Sequence, residues 1–195
     1  MAFVPIINHS THAHLTLADW EALEISHVAI DVVSLFVHPH CLIPSTAKTV
    51  FLDTRIRSYH RVSGKKKYSE EFFLHSPHNG QKISITPEGI QAMIKRFFSS
   101  RYSVIIIDEK NHSLEYNISD RSGRDAEKGI LYSKRAEVIS IQDAQWAGIV
   151  EPIESQCACY TCKNFTLSYL HHLHQVSVPL GLRLGVIHNL LQLNS

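Results

Sequence analysis

Three of the four cysteines in the chain fall within six residues, at Cys157, Cys159 and Cys162. On an extended segment the first two thiols point to the same side, and the two-residue gap before the third is the spacing of a zinc knuckle. Thiolates grouped in this way favour a metal site over disulfides in a cytosolic chain. The alternative is three unrelated cysteines.

A tetrahedral site needs one ligand more than these cysteines supply. The chain has 14 histidines, and its C-terminal segment offers His171, His172, His174 and His188. If two helices fold back as a hairpin, His188 near the end of the second helix returns to the cysteines before the first. Four protein ligands leave no open coordination position, so such a zinc ion would be structural and not hydrolytic.

Carboxylates follow two apolar runs that have strand character. Val50–Leu52 is followed by Asp53, and Val104–Ile107, which predicts a strand buried on both faces, is followed by Asp108. Strand and helix signals alternate around these runs, which predicts an α/β fold. Acids at the carboxyl ends of strands are where such folds carry their chemistry.

A basic run lies between Arg55 and Lys67, with six cations in 13 residues and no acid among them. One interpretation is a loop that contacts phosphates, and the other is a solvated flexible loop.

The elements that would position these residues are marked by caps and turns. Phe3–Ile7 and Val28–Val33 read as strands, and Thr16 opens a capping box for a helix that runs to about Glu24. Asn79-Gly80 predicts a hairpin, and Thr86-Pro87-Glu88 predicts the start of another helix.

The second half has a different pattern. Leu114–Arg124 is polar and turn-like, and Gly129–Ser133 with Glu137–Ile141 predicts a second hairpin. Asn164 is the expected cap of a helix that Pro179 ends, before a second helix over Leu180–Leu191. The expected apolar stripe of the first helix comprises Phe165, Tyr169, Leu173 and Val176.

Composition limits the class of protein. The 195 residues are 44% hydrophobic with a formal charge of +1, which argues for a globular domain and against a uniformly basic nucleic-acid coat. No apolar run approaches the roughly 20 residues of a membrane helix, and the N-terminus lacks a secretory pattern. The expected compartment is the cytoplasm, with no membrane partner.

The C-terminal segment resembles a known family in four stretches. These are CACYTCKN at Cys157–Asn164, YLHHL at Tyr169–Leu173, LGLRL at Leu180–Leu184 and IHNL at Ile187–Leu190. In type and spacing they resemble the zinc subdomain of the tRNA-guanine transglycosylases, which exchange a guanine in tRNA for queuine or its deazaguanine precursor. The resemblance implies one structural Zn²⁺ per chain, held by Cys157, Cys159, Cys162 and His188.

The resemblance continues upstream with departures. Asp53 stands where the family has the aspartate of Asp-Ser-Gly-Gly, but Thr54-Arg55-Ile56 follows it. Between Glu109 and Leu114 the chain lacks the middle of the family's (β/α)₈ barrel, including its glycine-rich segments. We therefore expect an incomplete (β/α) barrel related to the TIM barrel over residues 1–150 and a zinc-binding helical subdomain over residues 151–195.

The resemblance also implies site roles. Asp53 would handle the proton of the incoming base, Glu115 stands at the position of the nucleophilic aspartate, and Asp108 would read the base. Arg121 and Arg124 lie in Asp120–Arg124, which resembles the family's Pro-Thr-Arg-Asn/Ser-Ala/Gly-Arg, and match arginines that hold the tRNA anticodon loop. For each acid the alternative is a solvated loop carboxylate, and for the arginines a surface turn.

Three hypotheses follow from the sequence. The first is a shortened but active transglycosylase that takes a deazaguanine base, as part of an oligomer such as a homodimer. The second is a non-catalytic relative that binds tRNA or a catalytic partner subunit through the zinc subdomain and the basic loop. The third is a small zinc-bearing structural module. The expected outcome is a family member whose own exchange activity is absent or very low.

Overall fold

The computed structural model describes residues 2–7, 14–31, 43–53, 92, 103–107, 116–133 and 138–194. Several predicted features lie outside these ranges: the Asn79-Gly80 hairpin, the helix start at Thr86, the basic run Arg55–Lys67, and the acids Asp108 and Glu115.

In the described ranges, strands dominate the first part of the chain and helices the last. In chain order the elements are β1 (Ala2–Ile7), α1 (Leu17–Ala22), β2 (His27–Asp31), β3 (Thr49–Asp53), β4 (Ser103–Ile107), β5 (Tyr116–Ser119), α2 (Arg121–Glu127), β6 (Ile130–Tyr132), β7 (Val138–Ser140), a 3-10 helix (Ala144–Gly148), α3 (Tyr160–Asn164), α4 (Leu167–Val176) and α5 (Val178–Asn194).

The first five strands form one parallel sheet in the order β4-β3-β2-β1-β5. In the register, Asp31 at the end of β2 pairs with Asp53 at the end of β3, and Asp53 pairs with Ile107 at the end of β4. The α/β class is confirmed, and Asp53 stands at the carboxyl edge of the sheet.

The prediction that β4 is buried on both faces is wrong at Ile105, which is 39% exposed. Within the described ranges β4 is an outer strand of the sheet and pairs with β3 alone. An apolar sequence predicts a strand, but the burial of that strand depends on which other elements pack against it.

The prediction of a polar turn over Leu114–Arg124 is also wrong for most of its length. Tyr116–Ser119 forms β5, in which Ile118 pairs with Val4 of β1, and α2 begins at Arg121. The pairing that creates β5 joins residues more than 100 positions apart, so the local sequence carries little signal for it.

The second predicted hairpin is confirmed, with β6 and β7 antiparallel and Tyr132 opposite Val138. Gly129, between α2 and β6, has a φ of +72°. A Cβ added there would lie 3.0 Å from Cγ of Gln142. Both the left-handed backbone and the close approach require glycine at this turn.

The first of the two predicted C-terminal helices, α4, differs from the prediction in its N-cap and in its buried face. Thr166, whose hydroxyl accepts from the backbone N–H of Tyr169, caps α4, whereas Asn164 is the last residue of α3. The expected stripe is wrong because Tyr169 and Val176 are exposed. The buried positions of α4 are Leu167, Leu170, His171 and Leu173. Pro179 lies in the first turn of α5, where a missing N–H is tolerated.

One buried cluster joins strand residues such as Val50 and Leu52 to residues of the C-terminal helices such as Leu170 and Leu184. The division at residue 150 stays a prediction. Among the described residues, none of the helices combines the length and the apolar character needed to cross a bilayer.

An ion pair also ties α5 to α1. The capping box of α1 is present: the Thr16 hydroxyl accepts from the Asp19 N–H, and the Asp19 carboxylate accepts from the Thr16 N–H at 2.8 Å. The guanidinium of Arg183 donates to both carboxylate oxygens of Asp19, at 2.9 and 2.8 Å. Burial disfavours the charged carboxylate, but the hydrogen bonds from Arg183 and Thr16 outweigh it and lower the pKa of Asp19 below its ordinary 3.8.

Replacing Arg183 with methionine, which keeps the aliphatic stem, is expected to lower the free energy of unfolding by about 1–2 kcal/mol at pH 7. A carboxyl with a depressed folded pKa contributes stability above its unfolded pKa, and the contribution is lost as the pH falls through the folded pKa. The difference between wild type and variant should therefore shrink in acid. Urea unfolding at neutral and at acidic pH measures this difference in the free energy of unfolding.

Arg124→Met is the matched control, since it breaks the more exposed pair between Arg124 and Asp120, the N-cap residue of α2. We expect the control to change stability by less than about 0.5 kcal/mol. Equal effects of the two substitutions, or a difference that persists at low pH, would contradict this account of Asp19.

Candidate metal centre and the adjoining arginine helix

The three clustered cysteines lie around the start of α3. Cys159 is the N-cap residue, and its sulfur accepts from the backbone N–H of Cys162 at 3.3 Å. This bond folds the segment into a tight turn that brings both sulfurs to one side. Cys157 precedes the turn, and all three side chains are buried.

His188 reaches the cysteines from α5, as the helical-hairpin argument anticipated. Its Nδ1 lies 3.8, 3.6 and 3.3 Å from the sulfurs of Cys157, Cys159 and Cys162. The four potential ligand atoms all lie within 4.8 Å of one another. We call these four residues the Cys3His cluster.

The cluster has the dimensions of a tetrahedral zinc site. With Zn–S of about 2.3 Å and Zn–N of about 2.0–2.1 Å, a tetrahedron separates each sulfur from the nitrogen by about 3.5–3.6 Å. The observed separations of 3.3–3.8 Å bracket that value. The described residues therefore fit a metal ion, and three thiolates with one imidazole suit a soft or borderline metal.

The contact made by the other ring nitrogen of His188 determines the tautomer and the orientation of the imidazole. Nε2 lies 2.6 Å from the backbone carbonyl oxygen of Tyr132. A carbonyl can only accept, so Nε2 carries the hydrogen and donates it. In the neutral ring this leaves the lone pair on Nδ1, which faces the three sulfurs, and such an outer contact is typical of metal-binding histidines.

Contacts among the side chains of the Cys3His cluster shift their pKa values. A hydrogen bond from the Cys162 thiol lowers the pKa of Cys159 to about 4, and the same contact raises the pKa of Cys162. Burial opposes the charged imidazole, but contacts with Cys157 and Cys159 raise the pKa of His188 to about 9. A metal ion must displace these protons, so binding weakens in acid.

The remaining candidate histidines do not join the cluster. Nδ1 of His171 lies 2.7 Å from the carbonyl oxygen of Ile141, and its Nε2 lies 2.9 Å from the amide nitrogen of Gln175. His171 therefore joins α4 to the segment after β7. His172 is exposed, and His174 is half-buried.

The predicted tRNA-binding arginines stand on α2. The side chains of Arg121 and Arg124 are 58% and 53% exposed. Arg121 pairs with Asp125 on the same helix, and Arg124 pairs with Asp120, the N-cap residue of α2. Gly185 of α5 permits close packing of α2, because a Cβ there would lie 3.2 Å from Cβ of Ala126. We call α2 the arginine helix. It packs against α5, the helix that carries His188.

Of the three predicted acids, only Asp53 is among the residues that the structure describes. Asp53 is placed by its backbone at the edge of the sheet, whereas Asp108 and Glu115 lie outside the described residues. The sequence also gave no reason to single out Tyr132, whose carbonyl orients His188. Any residue has a backbone carbonyl, so this role leaves no sequence signal.

Comparison with known proteins identifies the region that contains the Cys3His cluster and α2. A family model described as queuine tRNA-ribosyltransferase matches residues 121–195. Proteins named queuine tRNA-ribosyltransferase from Chromobacterium violaceum and Thiobacillus denitrificans are 43% and 45% identical to this chain over 67 residues. One from Francisella tularensis subsp. novicida is 45% identical over the same length. Residues 121–195 are therefore similar to the queuine tRNA-ribosyltransferase family.

The match to the family is local. The 67 aligned residues are 34% of this chain and 18% of each of these relatives. The family model begins at Arg121, so it includes both arginines and the whole Cys3His cluster. Asp53, Asp108 and Glu115 all precede the matched range.

Proposed function

We propose that this chain acts in tRNA queuosine modification as a tRNA-guanine transglycosylase-like protein. The reaction is the exchange of guanine in the anticodon for queuine or its precursor. The observation that carries the proposal is the buried Cys3His cluster, with ligand separations of a tetrahedral site, inside the range that matches the queuine tRNA-ribosyltransferase model.

In this proposal the metal is one Zn²⁺ per chain. Cys157, Cys159, Cys162 and His188 would hold it, and with all four positions filled by protein it would supply folding stability and no catalytic step. The oxygen of Tyr132 keeps the His188 ring oriented, and the Thr161 hydroxyl donates to the carbonyl of Leu184 at 2.7 Å. These contacts join α3, α5 and β6 around the ion.

An incomplete (β/α) barrel is the proposed architecture of residues 1–150. The support is the strand order, because β5, the last strand of the sheet in the chain, pairs with β1, the first. In a closed (β/α) barrel the last strand also lies beside the first. Asp53 at the carboxyl edge then occupies the end of the sheet where such folds carry their active sites.

The reaction assigned to the family needs two carboxylates with separate roles. We propose Glu115 at the nucleophile position, Asp53 as the group that takes a proton from the incoming base, and Asp108 as the acceptor for N–H groups of the base. Arg121 and Arg124 would hold the anticodon loop, because guanidinium groups suit phosphates and splayed bases.

A non-catalytic, zinc-containing relative that binds tRNA or a catalytic partner is the second candidate. One observation favours it: the family match covers the metal-binding and arginine-bearing part of the chain and begins after all three proposed catalytic acids. Binding by phosphate contacts tolerates looser geometry than displacement at a ribose carbon. A homodimer and a separate catalytic subunit are both compatible with this candidate.

Both candidate functions assume that the chain binds tRNA. Binding of the purified full chain to a tRNA with guanine in its anticodon tests this assumption. Replacing Arg121 and Arg124 together by alanine should weaken binding about 10- to 100-fold. The slope of log affinity against log salt concentration should fall by about 1.5, since two phosphate contacts are removed. Filter binding across a salt series measures both quantities.

The matched control removes the same charge elsewhere. Lys48 and Lys163 are both exposed, and their joint replacement by alanine should change affinity less than about threefold. Wild-type protein that fails to bind tRNA, or a control that weakens binding as much as the arginine variant, would contradict the proposed interface.

A further inference from the structure

Tyr132 makes hydrogen bonds to both the Cys3His cluster and α2, and one of them runs from its hydroxyl to the backbone carbonyl oxygen of Arg121 at 3.4 Å. Its carbonyl accepts from Nε2 of His188 at 2.6 Å, and its backbone N–H donates to Oδ1 of Asn189 at 3.0 Å. Its hydroxyl donates to Oδ2 of Asp125 at 2.6 Å. The backbone of one residue thus contacts a candidate metal ligand, and its side chain contacts the arginine helix.

The side chain of Tyr132 also contacts Arg121. Nε of Arg121 donates to the same Oδ2 of Asp125 at 3.1 Å, and the guanidinium carbon lies 5.3 Å from the centre of the Tyr132 ring. That distance is within the range of a cation–π contact. The guanidinium is therefore held by a carboxylate that Tyr132 fixes and by the ring of Tyr132 itself.

The surrounding packing makes this arrangement stiff. Asn189 is fully buried and donates to the carbonyls of Ile130 at 2.9 Å and Ser122 at 3.3 Å, so one amide joins β6 and α2 to α5. Burial and the hydrogen bond to Asp125 raise the pKa of Tyr132, which favours the protonated hydroxyl that donates to Asp125. The Arg121 side chain is nonetheless 58% exposed.

We propose that Tyr132 is a positioning residue that holds the Arg121 guanidinium in place for an RNA phosphate. Ordering a long side chain on binding opposes association, and a protein that has ordered it beforehand binds more tightly. The hydrogen bond to Asp125 uses Nε of Arg121, and a guanidinium has two further amino groups that can donate to a phosphate. The inference rests on the proposed function, because it assumes that Arg121 contacts tRNA.

Tyr132→Phe tests the role without disturbing the backbone contacts. The variant keeps the ring and the carbonyl that contacts His188. It removes the hydroxyl, which contacts Asp125 at 2.6 Å and the backbone carbonyl oxygen of Arg121 at 3.4 Å. We expect tRNA affinity to fall about 3- to 10-fold, the range for ordering one flexible side chain. In an Arg121→Ala background the same substitution should change affinity less than twofold, because its effect acts through Arg121.

A purely structural role of Tyr132 would not produce that pattern. It would weaken binding equally in both backgrounds, which overturns the proposal. Zinc content should match wild type in every variant. Tyr169→Phe, which removes a hydroxyl from an exposed tyrosine of α4, should leave affinity unchanged.

Nitrogen-15 relaxation of the Arg121 Nε–H group gives a readout that needs no RNA. The group should be ordered in wild type and more mobile in Tyr132→Phe, and unchanged order overturns the proposal. If Arg121→Ala weakens binding and Tyr132→Phe does not, the positioning role is wrong and the proposed interface stands. If wild type does not bind tRNA, or if Arg121→Ala binds as well as wild type, both are wrong.

Discussion

Replacing Cys159 by alanine is expected to abolish stoichiometric zinc binding and to unfold the C-terminal part of the chain. Cys159 would supply one of the four ligands, and its sulfur caps α3. Structural zinc contributes about 10–16 kcal/mol of apparent binding free energy in zinc-finger peptides, which is comparable to or larger than the stability of a typical domain. Losing a ligand removes most of that contribution and leaves the other thiols buried without their partner.

The measurement is elemental analysis of purified protein together with guanidinium unfolding. Wild type should hold one zinc ion per chain, and the variant close to none. Cys41→Ala is the matched control, because Cys41 is the one cysteine that the sequence places away from the cluster. Wild-type protein without stoichiometric zinc, or a Cys159→Ala variant that keeps both the metal and its unfolding midpoint, would contradict the assignment.

Local spacing explains why most of the metal centre could be predicted. Three cysteines within six residues leave one position of a tetrahedral site open. The C-terminal segment offers four histidines that could fill it. Spacing alone left four candidates. The helical-hairpin argument favoured His188, and the family resemblance pointed to the same residue. The structure agrees, since Nδ1 of His188 faces all three sulfurs while both ring nitrogens of His171 face Ile141 and Gln175.

Features that depend on distant partners were missed. β5 exists because it pairs with β1, and its own four residues carry mixed polarity that resembles a turn. The pair between Asp19 and Arg183 joins residues 164 positions apart. The capping box predicted Asp19 as a local acceptor but gave no sign of its second partner.

The expected stripe on α4 failed for a related reason. A helical repeat of apolar residues predicts which face is buried only if the helix starts where the pattern assumes. With Thr166 as the cap, Leu167, Leu170 and Leu173 turn toward the core, and Tyr169 stays at the surface. Both Asn164 and Thr166 suit a cap, and the structure places Asn164 inside α3.

Guanine exchange by this chain is expected to be absent, or at least about 10²-fold slower than exchange by a family member with an aspartate nucleophile. Glu115 would place its carboxylate about 1 Å or more from the aspartate position, and displacement of that size costs roughly 10²-fold. By the resemblance, Thr54, Arg55 and Ile56 would also replace the serine and two glycines that follow the family's aspartate, and glycine is what allows backbone to approach a ligand closely. Release of radiolabelled guanine from tRNA measures the rate.

Glu115→Asp is the informative variant for this prediction, because it restores the shorter acid at the proposed nucleophile position. If the extra methylene limits the reaction, Glu115→Asp should raise the exchange rate while Glu115→Gln leaves it at background, and neither should change tRNA affinity. Robust exchange by wild type, abolished separately by Glu115→Gln and by Asp53→Asn, would contradict the prediction. It would establish both acids as catalytic, because a binding protein has no step that depends on either carboxylate.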